Sequence, residues 1–219
     1  MITVEKIEPI EHAFERLRKA PLDATGDTHI PIYENARMRI TELYPEEVNP
    51  TSLFVLKPQL ALLREMRARF IDQCDIDILH LQAILHIRTE SGEIIGMAPP
   101  VVEVYEETVH IIPQDGDQSP PRPIKLMVTI LKDGMHRAWI ARTDGETITC
   151  IKIHRAMDAH KPYAYPNEWS AVREYNSKAE RGLKKFFRRV DPYTYMRPLR
   201  ALRQTGADVP KHEYGSNYR

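Results

Sequence analysis

The segment IKLMVTILKDGMHRAWIARTDGETITCIKI, residues 124–153, is compatible with two different structures, and the fold depends on which of them forms. In the first, three strands form a meander with tight turns at Asp133-Gly134 and Asp144-Gly145, since Asp-Gly is a strong hairpin signal. In the second, a strand ends at Asp133-Gly134, a short helix runs from about His136 to Arg142, and a new strand follows Gly145.

The helical interpretation has a functional consequence. Residues 138–141 tolerate a helix, and Gly145 suits the left-handed conformation that commonly follows one. A helix that begins here presents backbone N–H groups beside His136 and Arg137, and such a helix start binds phosphate. We call residues 133–137 the 133–137 corner and predict an anion site there.

The composition is that of an ordinary globular protein. The chain has 219 residues, and its 31 Lys and Arg balance its 31 Asp and Glu. No global field therefore recruits nucleic acid, so any basic surface is local. Cys74 and Cys150 lie too far apart in sequence for a metal-type pair and are too few for a disulfide framework. No apolar run approaches the ~20 residues of a membrane span. These features predict a cytoplasmic protein without a membrane partner.

The chain divides into three predicted parts. Residues 1–35 are an N-terminal helix and a linker, and the helix places four apolar side chains on one face: Ile7, Ile10, Phe14 and Leu17. Residues 36–155 form an α+β domain. Residues 156–219 are a basic helical extension, in which a long helix begins at Asn167 and carries an apolar stripe that includes Trp169, Val172 and Tyr175.

Within residues 36–155 the pattern predicts strands and one clear helix. ARMRITEL (36–43) is a strand, and a Pro-containing turn follows it at 44–50. The helix spans 58–72, with Pro58 in its first turn. Extended segments occupy 78–112, and a Pro- and Asp-rich loop at 113–123 precedes the strand IKLMVTIL.

The order of these elements and the motif Asp-Gly-x-His-Arg at 133–137 resemble the ParB/sulfiredoxin-like superfamily. The shared features are a strand before the motif, a small-residue helix after it, and then a Gly and a β-rich run. Upstream, the strand, the Pro-containing turn, the helix and the Pro-Pro of APPVVEV (98–104) follow in the same order. The resemblance covers about residues 36–153 and implies a small mixed sheet with flanking helices.

The resemblance also implies a nucleotide-binding module. Its phosphate-binding residues, which would hold ATP, CTP or another nucleoside triphosphate, are Gly134, Met135, His136 and Arg137. Members of the superfamily act as DNA clamps in partition, phosphorylate an oxidised cysteine, or phosphorylate free serine. In the serine-kinase branch an Asp before the Gly and a Glu after the first strand's Pro carry the chemistry, and these positions correspond to Asp133 and Glu47.

The sequence departs from the pattern in three ways. Met135 stands where the kinase branch commonly has another His and where sulfiredoxin chemistry expects a Cys. An insert at 105–123 separates elements that are closer in compact members. No helix-turn-helix of the kind that partition proteins use to read DNA is visible after the domain.

The residue types suit phosphoryl transfer to a small hydroxyl acceptor, independently of the resemblance. Arg137 offers a planar donor to phosphate oxygens, and His136 can donate to the same oxygens. Asp133 can hold Mg²⁺, which prefers oxygen ligands, and Glu47 can accept the hydroxyl proton. The simpler alternatives are that Asp133 only shapes a turn and that Arg137 is a surface charge. Other acids in the same region, Glu42 and Glu46, compete with Glu47.

The C-terminal extension offers an alternative function in a different class. Basic residues are concentrated over 178–203, and the four proposed to contact nucleic acid are Lys184, Lys185, Arg188 and Arg189. In this alternative the chain is a non-enzymatic nucleic-acid-associated protein and bound nucleotide acts as a switch. Two further possibilities are a solvated helix face and a purely structural subunit.

Other candidate motifs favour structural roles. His80 and His86 are six apart, wider than usual for ligand pairs on strands, so we interpret them as ordinary sheet residues. Cys150 lies in TITCIKI and is interpreted as a buried apolar residue rather than a nucleophile. The sequence contains no GxxxxGK[ST] or GxGxxG motif, which disfavours the common nucleotide-binding folds.

Overall fold

A computed structural model describes residues 3–19, 33–89, 92–111, 120, 122–154, 164–177, 179–180 and 185. Within these residues the α-helices are Ile10–Lys19 (α1), Lys57–Cys74 (α2) and Met135–Asp144 (α3). The strands are Thr3–Glu8 (β1), Arg37–Leu43 (β2), Asn49–Pro50 (β3), Phe54–Leu56 (β4), Ile84–Arg88 (β5), Ile94–Met97 (β6), Val101–Ile111 (β7), Arg122–Asp133 (β8), Ile148–His154 (β9) and Arg173–Tyr175 (β10). Short 3-10 turns occupy Pro45–Glu47 and Trp169–Ala171.

A five-stranded mixed sheet forms the centre of the fold, with the strand order β2-β9-β7-β8-β3. Strand β7 is antiparallel to β8 and parallel to β9. Helices α2 and α3 cover one face, where Val102 and Leu131 pack with Ile140. Helix α1 covers the other face, where Leu17 packs with Ile151. The predicted α+β class is therefore confirmed.

A smaller sheet, with the order β1-β5-β6, packs against the second half of α2. Met66 and Phe70 of α2 are buried against Leu85 and Ile87 of β5. The helix predicted over 58–72 is confirmed, and it joins the two sheets because Leu60 packs in the core of the large sheet whereas Met66 and Phe70 pack in that of the small one.

The prediction of a helix for the N-terminal segment is wrong for residues 3–8, which form β1. Ile7 pairs with Leu85 of β5 and is 58% exposed, so it does not share the buried face of the helix. The helix begins at Ile10, after Pro9, and its predicted face is confirmed because Ile10, Phe14 and Leu17 pack in the core. Pairing with a strand about 80 residues later overrides the local helical spacing.

Glu8, at the end of β1, connects the small sheet to α1. Its buried carboxylate accepts a hydrogen bond from His86 Nε2 at 2.6 Å and further hydrogen bonds from Arg16 and His12. Burial alone would raise the pKa of Glu8, but these hydrogen bonds outweigh it and lower the pKa to about 2. His86 is therefore a core residue bonded to a carboxylate, whereas His80 lies in the turn before β5.

The long helix predicted from Asn167 is wrong over the described residues 167–175. Trp169 and Val172 are buried, as a helical stripe requires, but they belong to a 3-10 turn and the residue after it. Strand β10 then pairs in parallel with β4. A partner strand 119 residues earlier replaces the helix, and local spacing cannot reveal it. The remainder of that predicted helix, apart from a few isolated positions, lies outside the described residues.

The predicted insert at 105–123 is, over its described residues, the outer part of one long hairpin. Strands β7 and β8 remain paired from Tyr105–Val128 out to Ile111–Arg122. Strand β9 pairs with β7 only at residues 101–104, so this outer part extends beyond the five-stranded sheet. Of the loop predicted at 113–123, Arg122 and Pro123 instead begin β8, because they pair with Ile111 and His110 of β7. Residues 113–119 and 121 of that loop, and the linker predicted at 21–31, lie outside the described residues.

Candidate functional site at the 133–137 corner

Residues 124–153 form a strand, a helix and a second strand, with the 133–137 corner at the start of the helix. The helical interpretation is therefore confirmed, and the three-stranded meander is excluded. Strand β8 ends at Asp133, and Gly134 is left-handed with φ 88°. The first intrahelical hydrogen bond of α3 runs from Ala138 N to Gly134 O at 3.0 Å. The amides of residues 135–137 precede that bond and carry the positive end of the helix dipole.

Gly134 is required at this position by packing as well as by its backbone conformation. A Cβ atom on Gly134 would lie 2.5 Å from Pro100 Cβ and 2.6 Å from Pro100 Cγ. Its φ of 88° is also unfavourable for residues with a side chain. The Pro-Pro segment before β7 therefore packs directly against the start of α3.

Arg137 supports the same segment from within the protein. Its Nη2 donates to Ala98 O at 2.7 Å, and the residue is only 6% exposed. Pro100 O in turn accepts from Ile151 N at 2.8 Å, which ties the segment to β9. Arg137 is thus not a surface charge, and its described hydrogen bond shapes the corner.

His136 points to a different part of the chain. Its Nε2 accepts from Leu56 N at 3.0 Å, at the residue that precedes α2. An accepting Nε2 places the proton of the neutral ring on Nδ1, so donation to a phosphate oxygen would come from Nδ1. The described hydrogen bonds of His136 and Arg137 therefore lead to separate segments and do not converge on one anion.

Asp133 lies within electrostatic range of Lys185. Both residues are partly buried. Burial lowers the pKa of Lys185 to about 8, and the charge of Asp133 acts in the opposite direction. The structure thus associates two residues that the sequence assigned to different functions. The other predicted nucleic-acid contacts, Lys184, Arg188 and Arg189, lie outside the described residues.

Glu47 and Met135 occupy positions with local structural roles. The Glu47 carboxylate accepts from Tyr44 N at 2.8 Å and so caps its own 3-10 turn. Strand β3 pairs in parallel with β8 at Ile130 and Leu131, and Glu47 precedes that pairing whereas Asp133 follows it. These two acids lie at opposite ends of the paired segment. Met135 packs against the core beneath α3.

A second polar cluster has the composition of a metal site. Ligand atoms of Asp77, His80 and Glu146 all lie within 4.8 Å of one another. However, Arg67 already donates to Asp77 Oδ2 at 2.7 Å and also to Glu146. A guanidinium between the two carboxylates supplies the positive charge that a metal would bring, so we interpret this cluster as an ion-pair network joining α2 to the end of α3.

Cys150 has the environment of a structural residue. It is buried in β9 with an exposed fraction of 1%. Burial raises the pKa of its thiol to about 12, and nearby Arg137 only partly opposes this effect. The thiol therefore stays protonated at neutral pH, which agrees with its interpretation as an apolar residue.

Sequence reasoning missed the groups that surround the 133–137 corner. Leu56 N is 80 residues from His136, and Ala98 O is 39 residues from Arg137. Lys185 is likewise distant in sequence from Asp133, so no local pattern indicates any of these three groups. The Pro-Pro at 99–100 is visible in the sequence, but its contact with the corner depends on the absence of a Cβ atom on Gly134 and is seen only in the fold.

The fold and the corner define a small α+β protein in which a strand, a left-handed glycine and a buried arginine form the start of a helix. Residues 12–173 match the ParB CE domain family, so this chain belongs to that family. No curated protein and no solved structure matches the chain. Membership in a ParB-like family indicates a nucleotide- or nucleic-acid-associated role. None of the helices in the described part of the chain has the length and apolar character needed to cross a membrane.

Proposed function

We propose that this chain binds a nucleoside triphosphate at the 133–137 corner. The observation that carries the proposal is the start of α3 directly after Gly134, where the amides of residues 135–137 precede the first intrahelical bond. Backbone N–H groups at a helix start, together with the helix dipole, attract phosphate. The Pro100 contact and the Arg137–Ala98 hydrogen bond hold this backbone in place before any ligand binds.

The charges near the corner suit a magnesium–nucleotide complex. Asp133 supplies one carboxylate, and Mg²⁺ usually takes one or two protein carboxylates while phosphate oxygens and waters complete its octahedron. Lys185 supplies a cation for the remaining phosphate charge. Lys185 is thus a local cation within electrostatic range of Asp133, in a chain whose formal net charge is zero.

Phosphoryl transfer to a small hydroxyl acceptor extends this proposal. Bound Mg²⁺ would shield the charge on the transferred group, and the protein would mainly position the reactants. A carboxylate base must also lie beside the acceptor hydroxyl. Glu47 is the choice that the sequence gives, but its hydrogen bond to Tyr44 N keeps it in its own turn. The geometry therefore supports nucleotide binding more directly than transfer.

The binding proposal is tested by thermal shift and calorimetry with ATP, ADP, CTP and GTP, each with Mg²⁺. At least one triphosphate should stabilise the wild-type protein and bind with a measurable Kd. Asp133→Asn and Lys185→Ala should weaken that binding. The matched controls Asp72→Asn and Lys125→Ala should leave binding unchanged. Asp72 lies on the exposed surface of α2, and Lys125 lies in β8 about 26 Å from Asp133. Absence of binding by every nucleotide would overturn the proposal.

Transfer is tested separately by ³¹P NMR with the nucleotide that binds. A panel of small alcohols, including serine, should yield a new phosphate monoester signal if the chain is a kinase. Glu47→Gln should abolish that signal if Glu47 is the base. Binding without any monoester would restrict the function to nucleotide binding.

The nucleic-acid alternative remains a prediction for residues 178–203. It expects affinity for duplex or single-stranded nucleic acid that falls steeply as salt rises. Neutralising Lys184, Lys185, Arg188 and Arg189 should reduce that affinity. The association of Lys185 with Asp133 favours a role for this lysine at the corner, so Lys185→Ala alone should affect nucleotide binding more than nucleic-acid binding.

A further inference from the structure

A buried ionic network lies on the α1 side of the central sheet, directly before the 133–137 corner. The Glu103 side chain is fully buried, and its Oε2 accepts from Tyr33 Oη at 2.7 Å. Lys132 Nζ lies 3.8 Å from the same oxygen, and the Lys132 side chain is only 4% exposed. Two opposite charges are therefore held inside the protein, where charges are costly unless they are paired.

The network coincides with an irregularity in the β7–β8 pairing. Val102 pairs with Leu131, whereas Val101 pairs with Asp133, so β8 contains one extra residue at Lys132. This is a β-bulge, which locally bends a strand and redirects the side chains that follow it. The next residue is Asp133, and Gly134 follows at once.

The bulge determines which face of the sheet Asp133 occupies. Side chains alternate along a strand, so a one-residue change in register moves every later side chain to the opposite face. Without the extra residue, Val101 would stand opposite Lys132, and Asp133 would be displaced from its present position beside Val101.

We propose that the Glu103–Lys132 ion pair, held by Tyr33, fixes this bulge and thereby positions Asp133 and the start of α3 for the triphosphate. Glu103 and Lys132 are positioning residues that act through the backbone of β8, since the buried pair reaches no ligand. This inference rests on the proposed function for its nucleotide readout. A buried ion pair is often replaceable by apolar residues without loss of stability, so stability alone does not account for these charges.

The test uses the double variant Glu103→Met with Lys132→Met, whose side chains have similar length and no charge. Its urea midpoint should fall only modestly, because the buried Tyr33 hydroxyl loses its acceptor, Glu103 Oε2. Its Kd for the triphosphate that binds the wild-type protein should rise about tenfold, which corresponds to ~1.4 kcal/mol. In the nucleotide-free protein, the NMR amide signals of Gly134, Met135 and His136, none of which follows a substituted residue directly, should move because the bulge has relaxed.

The same two strands supply a matched control. Lys125 Nζ lies 2.7 Å from Glu106 Oε1 on the exposed outer hairpin, far from the bulge. The double variant Glu106→Met with Lys125→Met should leave both the Kd and the three amide signals unchanged. If the Glu103/Lys132 double variant does not fold, Tyr33→Phe, which removes only the hydroxyl that holds Glu103, should move the same signals by a smaller amount.

The outcomes separate this inference from the proposed function. An unchanged Kd and unchanged amide signals in the Glu103/Lys132 double variant would overturn the positioning role while leaving nucleotide binding intact. If the wild-type protein binds no nucleotide, the proposed function fails, and the amide signals of the nucleotide-free variants decide the inference. Displaced signals would then support control of the corner by the ion pair, and unchanged signals would overturn it.

Discussion

Two Asp-Gly steps, one at each end of α3, look alike in the sequence but differ in the structure. Gly134 and Gly145 are both left-handed, with φ of 88° and 72°. A Cβ on Gly134 would overlap Pro100, whereas a Cβ on Gly145 would meet nothing within 4 Å. Gly145 is an ordinary helix stop, and Gly134 is the centre of a packed corner.

The two aspartates differ in the same way. Asp144 is bound to α2, since Arg64 Nη2 lies 2.8 Å from its carboxylate and Arg67 Nη1 lies 3.8 Å away. Asp133 acts electrostatically on Lys185, a residue of the C-terminal part of the chain. One end of α3 is therefore fixed within the domain, whereas the other brings acidic and basic groups together beside a helix start. This difference is the reason that we propose the nucleotide site at the Gly134 end of α3 and not at the Gly145 end.

Replacing Gly134 and Gly145 should give the largest difference in the free energy of unfolding between the two ends of α3. Gly134→Ala combines left-handed strain of about 1–2 kcal/mol with overlap against Pro100 that adds about 1–3 kcal/mol. Gly145→Ala meets only the strain and should cost about 1–2 kcal/mol. Urea unfolding of both variants measures the contrast, and equal losses would show that Pro100 does not pack on the corner.

Replacing one arginine near each end of α3 should give a smaller difference in stability. Arg137→Met removes the buried hydrogen bond to Ala98 O and should cost about 2–3 kcal/mol. Arg142, partly exposed over Trp139 and Trp169 with Glu46 beside it, is the control. Arg142→Met should cost about 1 kcal/mol or less. Thermal unfolding that ranks the two variants in the reverse order would contradict the supporting role of Arg137.

The sequence predicted the elements whose signals are local. IKLMVTIL is rich in β-branched residues and forms most of β8, and Gly145 correctly indicated the end of α3. The predictions failed where a distant strand decides the structure. Residues 3–8 pair with β5, and residues 173–175 pair with β4, so apolar spacing typical of a helix was overridden in both segments.

At the candidate site, the sequence indicated the backbone but not the surroundings. The Asp-Gly-x-His-Arg motif located the helix start, because Gly and small helical residues have intrinsic preferences. It did not indicate that His136 bonds to Leu56 N or that Arg137 bonds to Ala98 O. Glu47 was chosen by its spacing from Pro45, but the register of β3 against β8 separates it from Asp133.

The two aspartates should differ in their effect on nucleotide binding. In the presence of Mg²⁺, Asp133→Asn should raise the Kd about tenfold, or ~1.4 kcal/mol, because it removes the proposed metal ligand. With EDTA the same variant should bind as well as the wild-type protein or better, since a negative charge beside the phosphates is gone. Asp144→Asn should leave the Kd unchanged and cost only about 0.5 kcal/mol in stability. If calorimetry finds that Asp133→Asn and Asp144→Asn change the Kd equally, Asp133 has no special role in nucleotide binding.

Nucleotide binding should weaken modestly as the pH rises through about 8. The pKa of Lys185 is lowered by burial from its ordinary value of 10.5 to about 8, so its charge is lost over this range. The affinity should fall roughly two- to fivefold between about pH 7 and pH 9. A lowered lysine pKa makes the folded state more stable, not less, as the pH rises from 8 towards 10.5. The fall therefore cannot arise from unfolding through this group.

Lys185→Met should remove this pH dependence, while Lys125→Met should retain it. A pH profile that is flat in the wild-type protein, or equally steep in Lys185→Met, would exclude Lys185 from the site.

Nucleotide binding at the 133–137 corner is tested most directly by an NMR titration of the amide signals at both ends of α3 with MgATP and MgCTP. We expect saturable shifts at Gly134, Met135 and Arg137 with at least one of the two nucleotides. The signals of Gly145 and Glu146 should not move, and they serve as the internal reference. Amide signals of residues 134–137 that stay fixed at high concentrations of both nucleotides would show that the corner does not bind them.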